Sequence, residues 1–281
     1  MNREKKIVAG VVGDPISHSL SPRLHGYWLT KYNIKGEYKA FHVSPTELPK
    51  FLNALKKNKI QGVNLTLPHK VSGMSLVDKL DESAQKIGAI NTIYVDKSGT
   101  LLGSNTDGYG FLKNLEQKVN DWLPQSGPVS IIGAGGAARA IIVSLLDNGV
   151  PKIRICNRTF EKAEKLVTEL NDNRVKVVPW EQRGQSLEGA SLLVNVTMLG
   201  MKGQAPLELD LEYLPKSAIV YDIVYNPLET ALLANAKMRG NKTVDGLGML
   251  LHQAVPGFKA WFGVEPEVDS ALRAHVLKAL K

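Results

Sequence analysis

The stretch "VSIIGAGGAARA" (residues 129–140) decides the fold of this chain. Its apolar start predicts a buried strand, its glycines predict a tight turn, and its alanines predict the first turns of a helix. Gly133, Gly135 and Ala138 fit the spacing G-x-G-x-x-A, in which the glycines let the backbone turn and approach a pyrophosphate. A glycine turn with only a structural role is the alternative. The candidate phosphate-binding residues are Gly133, Ala134, Gly135, Gly136 and Ala137.

The next strand indicates which dinucleotide binds. An NAD site of this kind usually carries Asp or Glu about 20 residues after the glycines, where it holds the ribose 2′-hydroxyl. Here the strand "KIRIC" (152–156) is followed by Asn157, Arg158 and Thr159, without a carboxylate. A guanidinium can hold a 2′-phosphate through two parallel hydrogen bonds. These residues therefore favour NADP, unless Arg158 is an ordinary surface arginine.

Strand and helix patterns alternate on both sides of this unit. A segment rich in Pro, Gly and polar residues (120–128) precedes it and marks a boundary region. The last 36 or so residues have helical patterns and carry polar residues that we assign to the first part of the chain. We therefore predict a two-domain α/β protein. An N-terminal α/β substrate-binding catalytic domain (1–106) is completed by returning C-terminal helices (246–281), and a Rossmann-like NADP-binding domain occupies 107–245.

The net charge and the distribution of basic residues indicate which class of binding partner to expect. The 281 residues include 35 Lys and Arg against 27 Asp and Glu, a net charge of +8, which suits an anionic partner. The densest basic run, "KKNK" (56–59), has no interleaved aromatic residues, which argues against a nucleic-acid binder. No apolar run approaches the ~18 residues of a membrane span. We therefore expect a charged small molecule as the ligand, with neither nucleic acid nor membrane as partner.

The cysteine and histidine residues indicate the cellular compartment and whether a metal site is expected. Cys156 is the single cysteine, so no internal disulfide can form, which fits a cytoplasmic location. The basic start and short apolar run of residues 1–13 lack a cleavage site of small residues, which favours a first strand over a signal peptide. The six histidines form no H-E-x-x-H pattern, and there are no cysteine ligands, so no metal is predicted. His69 is interpreted as a structural or supporting residue.

Three polar clusters have no evident structural need. In "SHSLSP" (17–22), an extended backbone would aim the Ser19 and Ser21 hydroxyls the same way, as a carboxylate ligand requires; Ser21 could also cap the next helix. In "NLTLPHK" (64–70), Lys70 follows the end of a strand predicted to be half buried, and ligands bind at such ends in open α/β sheets. The polar residues of the three clusters are Ser19, Ser21, Asn64, Thr66, Lys70, Asn91, Asn105 and Asp107. Each alone could be a turn residue or a solvated side chain.

Taken together, these strings resemble the shikimate dehydrogenase family over almost the whole chain. The matching stretches are "GDPISHSLSP" (13–22), "GVNLTLPHK" (62–70), "GAINT" (88–92), "NTDG" (105–108), "GAGGAARA" (133–140), "NRT" (157–159), "YDIVYNPLET" (221–230) and "DGLGMLLHQA" (245–254). The resemblance implies reversible, NADPH-dependent reduction of 3-dehydroshikimate to shikimate, on the way to chorismate and the aromatic amino acids. We expect the protein to act as a monomer or homodimer.

The resemblance also implies roles for individual residues. Lys70 and Asp107 would be catalytic, with Lys70 as proton donor to the ketone oxygen and Asp107 orienting its ammonium. The substrate would contact Ser19, Ser21, Asn64, Thr66, Asn91, Tyr225 and Gln253. Ile223 and Gly246 would line the nicotinamide side.

The chain departs from the family pattern at two positions. Gly26 follows His25 where the family usually has Asn, and Val196 stands where it usually has Ala. An NAD-dependent quinate/shikimate dehydrogenase and a non-catalytic NADP-binding sensor are alternatives. Ser21 and Arg158 argue against the first alternative, and the retention of Lys70 with Asp107 argues against the second.

Overall fold

The computed structural model describes residues 6–55, 57 and 60–280. Positions 56, 58 and 59 of the lysine-rich run, and the first five residues of the possible signal segment, lie outside the described residues. The chain divides into two compact units. The first contains the residues up to Thr106 and those from Leu251 onward, and the second contains Asp107–Leu250. The sequence predicts this return of the chain at residue 246.

The described residues of the first unit contain one six-stranded sheet with helices on both faces. Its strands are β1 (Ile7–Gly13), β2 (Gly36–His42), β3 (Ile60–Leu65), β4 (Lys79–Leu80), β5 (Thr92–Val95) and β6 (Leu101–Ser104). Its helices are α1 (Ser21–Lys31), α2 (Leu48–Leu55), α3 (His69–Ser72), α4 (Glu82–Ile87), α10 (Ala254–Phe262) and α11 (Ser270–Leu277). The strand order β2-β1-β3-β5-β6-β4 puts β1 between two parallel neighbours, and β5 pairs antiparallel with β3 and β6.

The C-terminal helices complete the core of this first unit. α10 packs on β1, β3 and β5, and α11 packs on α1. The Trp261 indole donates to the Ile93 carbonyl oxygen (3.1 Å), and the Trp28 indole donates to the Glu267 carbonyl oxygen (3.0 Å). On the other face of the sheet, Leu48 and Leu52 of α2 share an apolar cluster with Val63 of β3. A sheet covered on both faces explains why β3 is buried on both sides.

Two local predictions in this unit were wrong. The strand before Lys70 was expected to be half buried; instead five of the six residues of β3 are buried, β3 ends at Leu65, and the Leu67 side chain beyond it is 72% exposed. Ser21 was expected to cap α1, but it is the first helical residue, and Leu20 occupies the N-cap position without a side-chain cap. Ser19 and Ser21 are therefore not on an extended backbone, because residues 14–20 form turns and a helix follows.

The described residues of the second unit contain a fully parallel six-stranded sheet. Its strands are β7 (Val129–Ile132), β8 (Ile153–Cys156), β9 (Val175–Val178), β10 (Leu192–Asn195), β11 (Ile219–Asp222) and β12 (Lys242–Val244). Its helices are α5 (Asp107–Lys118), α6 (Gly136–Asp147), α7 (Phe160–Leu170) and α8 (Ala231–Met238), and α9 (Leu247–His252) carries the chain across to the first unit's residues.

The strand order β12-β11-β10-β7-β8-β9 is that of a Rossmann fold. Residues on the two faces of the sheet lie in two apolar clusters: Ile131 and Val194 lie in one, Ile132 and Leu193 in the other. The order reverses between β7 and β10, which is the point where such sheets bind ligands beyond the carboxyl ends of their strands. The fold class predicted from the glycine motif is confirmed.

In the part of the chain that the structure describes, none of the helices has the length and hydropathy to cross a bilayer.

Candidate active site

In the first unit, candidate ligand residues follow β1 and β3, the two strands on either side of that sheet's own reversal of order. Ser19 and Ser21 come after β1, whereas Thr66 and Lys70 come after β3. Carboxyl ends of parallel neighbours meet at one edge of a sheet, so these side chains approach one region. This edge is the candidate substrate site.

The two serines form a short turn at this edge. Ser19 Oγ accepts a hydrogen bond from the Ser21 backbone N–H (3.3 Å). Tyr38 is a buried residue of β2 whose hydroxyl donates to Asn64 Oδ1 (2.6 Å). Burial raises the pKa of Tyr38 well above its ordinary value, and the Ser21 side chain has a smaller, opposing effect. Tyr38 therefore stays protonated beside the serine pair.

Asn64 is buried at the end of β3 with its amide committed to protein partners. Its Oδ1 accepts from the Tyr38 hydroxyl (2.6 Å), and its Nδ2 donates to the Asn91 carbonyl oxygen (3.0 Å) and to Thr92 Oγ1 (3.1 Å). Since both amide hydrogens have partners, we expect Asn64 to position Asn91 rather than to donate to a ligand, a revision of its predicted role.

Asn91 and Gln253 are brought together although 162 positions separate them in sequence. Asn91 Nδ2 lies 3.5 Å from Gln253 Oε1, the outer limit of a hydrogen bond. Thr106 links both residues: its backbone N–H donates to Asn91 Oδ1 (2.9 Å), and its hydroxyl donates to the Gln253 carbonyl oxygen (2.8 Å). Asn91 Oδ1 also accepts from Thr92 Oγ1 (2.9 Å), which fixes the orientation of the amide.

Lys70 lies in the short helix α3, half-buried, rather than on an open loop. The buried ring of the preceding His69 bonds through Nε2 to the Val43 carbonyl oxygen (2.7 Å), and the Lys70 carbonyl accepts from the Ile90 N–H (2.8 Å). These two bonds fix the backbone of Lys70 next to that of Asn91. The structural interpretation of His69 agrees with its buried ring.

Thr66 is fixed between β1 and α3. Its N–H donates to the Val12 carbonyl oxygen (2.9 Å), and its carbonyl accepts from the His69 N–H (2.8 Å). A methyl group added at Gly13 would lie 2.5 Å from Thr66 Cγ2, so the threonine methyl packs directly on that glycine. Thr66 is half-buried and keeps its place at the edge of the sheet.

Asp107 is the first residue of the second unit and of α5, and it is 6% exposed. A carboxylate in the first turn of a helix is stabilised by the unpaired backbone N–H groups and by the helix dipole. Asn105, which precedes it, donates through Nδ2 to the Ala89 carbonyl oxygen (3.0 Å) and belongs to the first unit. The predicted pairing of Asp107 with Lys70 stays a prediction.

The glycine turn of the second unit has the features of a phosphate cradle. Gly133 has φ +116°, and a methyl group there would lie 2.7 Å from Thr197 Cγ2 and 2.9 Å from Val196 Cγ2, so it needs glycine. Gly135 caps α6 without a side-chain bond, and a methyl group at Gly135 or Gly136 would meet no described atom beyond the adjoining backbone within 4 Å. These two glycines leave open space in front of uncapped helix N–H groups, which fits a pyrophosphate.

The residues after β8 support that cradle and extend from it. Asn157 Oδ1 accepts from the Ala134 N–H (3.2 Å), and its Nδ2 donates to the Thr159 carbonyl oxygen (2.7 Å), so Asn157 joins the two loops. Arg158 and Thr159 are exposed. Arg158 is thus available at the surface where a 2′-phosphate would be read. Asn157 is expected to shape the site through these two bonds.

Ile223, Tyr225 and Gly246 lie beyond the carboxyl end of β11. Ile223 and Tyr225 are half-buried, and burial raises the pKa of Tyr225. The Gly246 N–H donates to the Val224 carbonyl oxygen (3.2 Å), and a methyl group at Gly246 would overlap the backbone of Ile223. Glycine is therefore required at 246 by this close backbone approach.

A buried carboxylate that was not predicted organises these loops. Asp222 Oδ1 accepts from Asn195 Nδ2 (2.9 Å) and from the Val224 N–H (3.0 Å), and its Oδ2 accepts from Thr230 Oγ1 (2.6 Å). Burial raises the pKa of the Asp222 carboxyl, against the effect of these three donors. Asn195 Oδ1 in turn accepts from the Thr197 N–H (3.0 Å). The loops after β10 and β11 are thereby joined.

Sequence reasoning therefore missed three supporting residues: Tyr38, Thr106 and Asp222. The last two lie inside the matching strings "NTDG" and "YDIVYNPLET", so a polar residue at a predicted strand end was an available signal. Tyr38 had none, because it sits mid-strand in an ordinary alternating pattern. Within the described residues, His, Cys, Asp and Glu side chains form no group of three or more that could hold a metal ion.

Three family models match the chain. Residues 11–93 match the shikimate dehydrogenase substrate binding domain, residues 115–200 match shikimate/quinate 5-dehydrogenase, and residues 246–274 match the shikimate 5′-dehydrogenase C-terminal domain. A relative named shikimate dehydrogenase (NADP(+)), from Paramagnetospirillum magneticum, is 55% identical over 273 residues, which cover 97% of this chain and 99% of the relative.

Solved structures agree with these matches. A shikimate 5-dehydrogenase from Thermus thermophilus, in complex with NADP(H) and shikimate, is 35% identical with a TM-score of 0.86, covering 97% of this chain and 99% of its own. A quinate dehydrogenase from Corynebacterium glutamicum, in complex with NAD, is 30% identical with a TM-score of 0.90 at 97% and 99% coverage. The backbone alone thus does not separate the two activities. On sequence identity and length together, the chain belongs to the shikimate dehydrogenase family.

Proposed function

We propose that this protein catalyses the reversible, NADPH-dependent reduction of 3-dehydroshikimate to shikimate. The observation that carries the proposal is the continuous hydrogen-bond network of the first unit, from Tyr38 through Asn64 and Asn91 to Gln253. A polyhydroxylated carboxylic acid needs several fixed hydrogen-bonding groups at one site, and this network holds such groups at one edge of a sheet. The relative with 55% identity is named for the same activity.

Substrate binding is assigned to the first unit and to Asp107 and Tyr225 of the second. Ser19 and Ser21 bind the carboxylate, and hydrogen bonds to such a charged group contribute roughly 1.5–3 kcal/mol each. Thr66, Asn91 and Gln253 bind ring hydroxyls, together with Asp107, and Tyr225 lies close to the substrate. Asn64 supports Asn91. A site built from hydroxyl and amide groups rejects analogues that leave those groups unpaired.

Catalysis is assigned to Lys70. NADPH, when bound, supplies the hydride that adds to the ketone carbon. As the carbon–oxygen double bond becomes single, negative charge develops on the oxygen, and the Lys70 ammonium stabilises it and transfers one proton to it. In the oxidation of shikimate, neutral Lys70 accepts that proton. The helix α3 fixes the lysine, and Asp107 holds the neighbouring hydroxyl.

NADP binding is assigned to the second unit. The residues that would hold the pyrophosphate are the backbone N–H groups of Gly135, Gly136 and Ala137 at the start of α6. Arg158 would hold the 2′-phosphate, and Ile223 and Gly246 would line the nicotinamide side. A lysine at 158 would keep the charge and lose the two-bond geometry.

One set of absorbance assays tests the proposal. Initial rates of cofactor reduction are measured with shikimate or quinate, each with NADP or NAD. The proposal expects the highest kcat/KM for shikimate with NADP. A preference for quinate with NAD would support the activity named for the C. glutamicum neighbour, and cofactor binding without turnover of either acid would support a sensor.

We expect the protein to act in the cytoplasm, as a monomer or homodimer. Its single cysteine, Cys156, is buried, and burial raises the pKa of its thiol, so it is protected from oxidation. Sedimentation velocity at several concentrations would determine the state of association.

A further inference from the structure

Asn114 is a fully buried asparagine of α5 whose side chain has no part in the sites assigned above. Its Nδ2 donates to the Asp245 carbonyl oxygen (2.8 Å) and to the Tyr221 hydroxyl oxygen (2.7 Å). A carbonyl oxygen can only accept, so the atom of the amide that faces Asp245 must be the nitrogen. Both amide hydrogens of Asn114 are therefore used within the second unit.

The amide oxygen of Asn114 faces Gly248 of α9. This oxygen has no hydrogen-bond partner among the described residues, and a methyl group at Gly248 would overlap both the oxygen and Asn114 Cγ. A buried acceptor without a partner costs free energy, and an apolar side chain in the same space would avoid that cost. Packing alone therefore does not account for an asparagine at this position. What the amide adds is the pair of bonds from Nδ2.

The bond from Asn114 to Asp245 fixes the peptide unit that precedes Gly246. The carbonyl oxygen of this unit accepts from Asn114, and its N–H, which belongs to Gly246, donates to the Val224 carbonyl oxygen (3.2 Å). A peptide unit is planar, so bonds on its two sides prevent it from rotating. Gly246 was assigned above to the nicotinamide side. Asn114 therefore fixes the backbone against which the nicotinamide would lie.

The helix that carries Asn114 begins at Asp107, which was assigned above to the substrate. The two residues are about two helical turns apart, so they lie on one face of α5, about 10 Å apart along its axis. Both are buried. Phe111 lies between them, and its ring packs on the ring of Tyr221 at 4.6 Å between centroids. Through Asn114, α5 thus links the carboxylate assigned to the substrate to the loop assigned to the nicotinamide, all within the second unit.

We propose that Asn114 is a positioning residue for hydride transfer, because it fixes the loop at Gly246 relative to the helix that begins at Asp107. Hydride transfer requires one geometry of nicotinamide and substrate carbon, and an error on the order of 1 Å can lower the rate on the order of 10²-fold. The pyrophosphate and the 2′-phosphate are assigned to other loops. Asn114 should therefore affect the rate much more than the affinity for the cofactor. This inference rests on the proposed function.

Asn114→Ala tests the proposal, and Asn241→Ala is its matched control. Asn241 is a buried asparagine of the same unit whose Nδ2 donates to the Pro215 and Ala218 carbonyl oxygens (2.9 Å each), and its Oδ1 has no partner among the described residues. It precedes β12 at the amino end of that strand, whereas the cofactor is assigned to carboxyl ends. Rates of shikimate oxidation are measured where thermal unfolding shows both variants to be folded. Asn114→Ala should lower kcat ~10- to 100-fold and leave Kd for NADPH within ~3-fold of wild type, and Asn241→Ala should change each by less than ~2-fold.

A second variant separates the hydrogen bonds of Asn114 from its packing, and it keeps the test decisive if Asn114→Ala unfolds. In the double variant Asn114→Ala, Gly248→Ala, the new methyl group at 248 occupies the space that the amide leaves, since its three nearest atoms in the wild-type structure all belong to that amide. The double variant should regain stability and keep the low kcat. A return of kcat to the wild-type value would mean that the amide only fills space, which would overturn the proposal.

Three other kinetic results would overturn the proposal. They are a wild-type kcat in Asn114→Ala, an equal loss of kcat in Asn241→Ala, and a rise in Kd for NADPH as large as the fall in kcat.

The emission spectrum of bound NADPH tests the proposal without turnover, because it reports the surroundings of the nicotinamide. It should change in Asn114→Ala and stay at wild type in Asn241→Ala, and identical spectra in all three proteins would contradict the proposal. A wild-type protein that binds NADPH and does not oxidise shikimate would refute the proposed function. The emission spectra would then still show whether Asn114 fixes the nicotinamide side, so the two failures are distinguishable.

Discussion

Replacing Gly135 by alanine should separate cofactor binding from stability. Gly135 has φ −86°, which alanine adopts freely, and a methyl group there would meet no described atom beyond the adjoining backbone within 4 Å. The lower entropy of the unfolded chain stabilises such a variant by about 0.4–1 kcal/mol. Alanine is a poorer N-cap than glycine, which offsets that gain. We expect the free energy of unfolding to change by less than about 1 kcal/mol.

The same methyl group stands where a phosphate would approach the first N–H groups of α6. Loss of one charge-assisted hydrogen bond costs about 1.5–3 kcal/mol, so Kd for NADP should rise roughly 10- to 150-fold. Kd for shikimate should not change, because its proposed ligands do not include this turn. Fluorescence titration with each ligand and thermal unfolding provide the three quantities.

Two other glycine-to-alanine variants serve as controls for Gly135→Ala. Gly184→Ala, in the same unit, has ordinary helical φ and ψ and meets only the Asp210 carbonyl oxygen at 3.8 Å, so all three quantities should stay at wild-type values. Gly133→Ala, with φ +116° and contacts at 2.7 and 2.9 Å, should lose about 1–3 kcal/mol of stability. An unchanged Kd for NADP in Gly135→Ala would refute the proposal that this glycine turn binds the pyrophosphate. A loss of stability like that of Gly133→Ala would mean that glycine is needed at position 135 for the fold rather than for the cofactor.

Three further results are expected. Lys70→Ala should lower kcat on the order of 10²-fold or more with little change in KM for shikimate, and near-normal turnover in steady-state kinetics would refute its role as proton donor. Wild type should prefer NADP to NAD at least ~10-fold in kcat/KM, and high salt should reduce this preference. Arg158→Ala should remove much of the preference. If the preference were undiminished in this variant, another residue would bind the 2′-phosphate. Burial raises the pKa of folded Asp222, so its contribution to stability is largest below its ordinary pKa and is lost as pH rises to the raised value. Urea unfolding between these two pH values should show the free energy of unfolding falling in wild type and not in Asp222→Asn. Asp222→Ala leaves the Asn195 and Val224 donors unpaired, so it should lose about 1–3 kcal/mol of stability at any pH.

The parts of the fold that sequence predicted well are those set by local rules. The stretch 129–140 contains a buried strand, a glycine turn and a helix start in immediate succession, and each element is specified by its own residues. The three-residue strand β12 was not predicted, because Lys242, Thr243 and Val244 are too few to show a period. Its place is determined by pairing with β11, a contact that a local pattern does not contain.

The candidate site shows the same division between local and distant causes. The side chain of Ser21 was expected to cap its own helix, but Ser21 is the first residue of that helix and Leu20 is at the N-cap position. Asn64 was predicted to contact the substrate, but its amide oxygen and both of its amide hydrogens have partners within the protein. Polar type and approximate location could thus be predicted, whereas the choice of partner required the assembled unit.

The discontinuous first unit has a consequence for how the chain folds during synthesis. Its aromatic core needs Trp28 from the beginning of the chain and Phe258 and Trp261 from the end, so that core cannot close until residues 251–281 have left the ribosome. The second unit, residues 107–250, is contiguous and can fold while the last helices are still being translated. Until then, the apolar faces of β1, β3 and β5 that α10 covers stay exposed. Nascent chains stalled before residue 251 are therefore expected to recruit chaperones through their N-terminal third, although that part was made first.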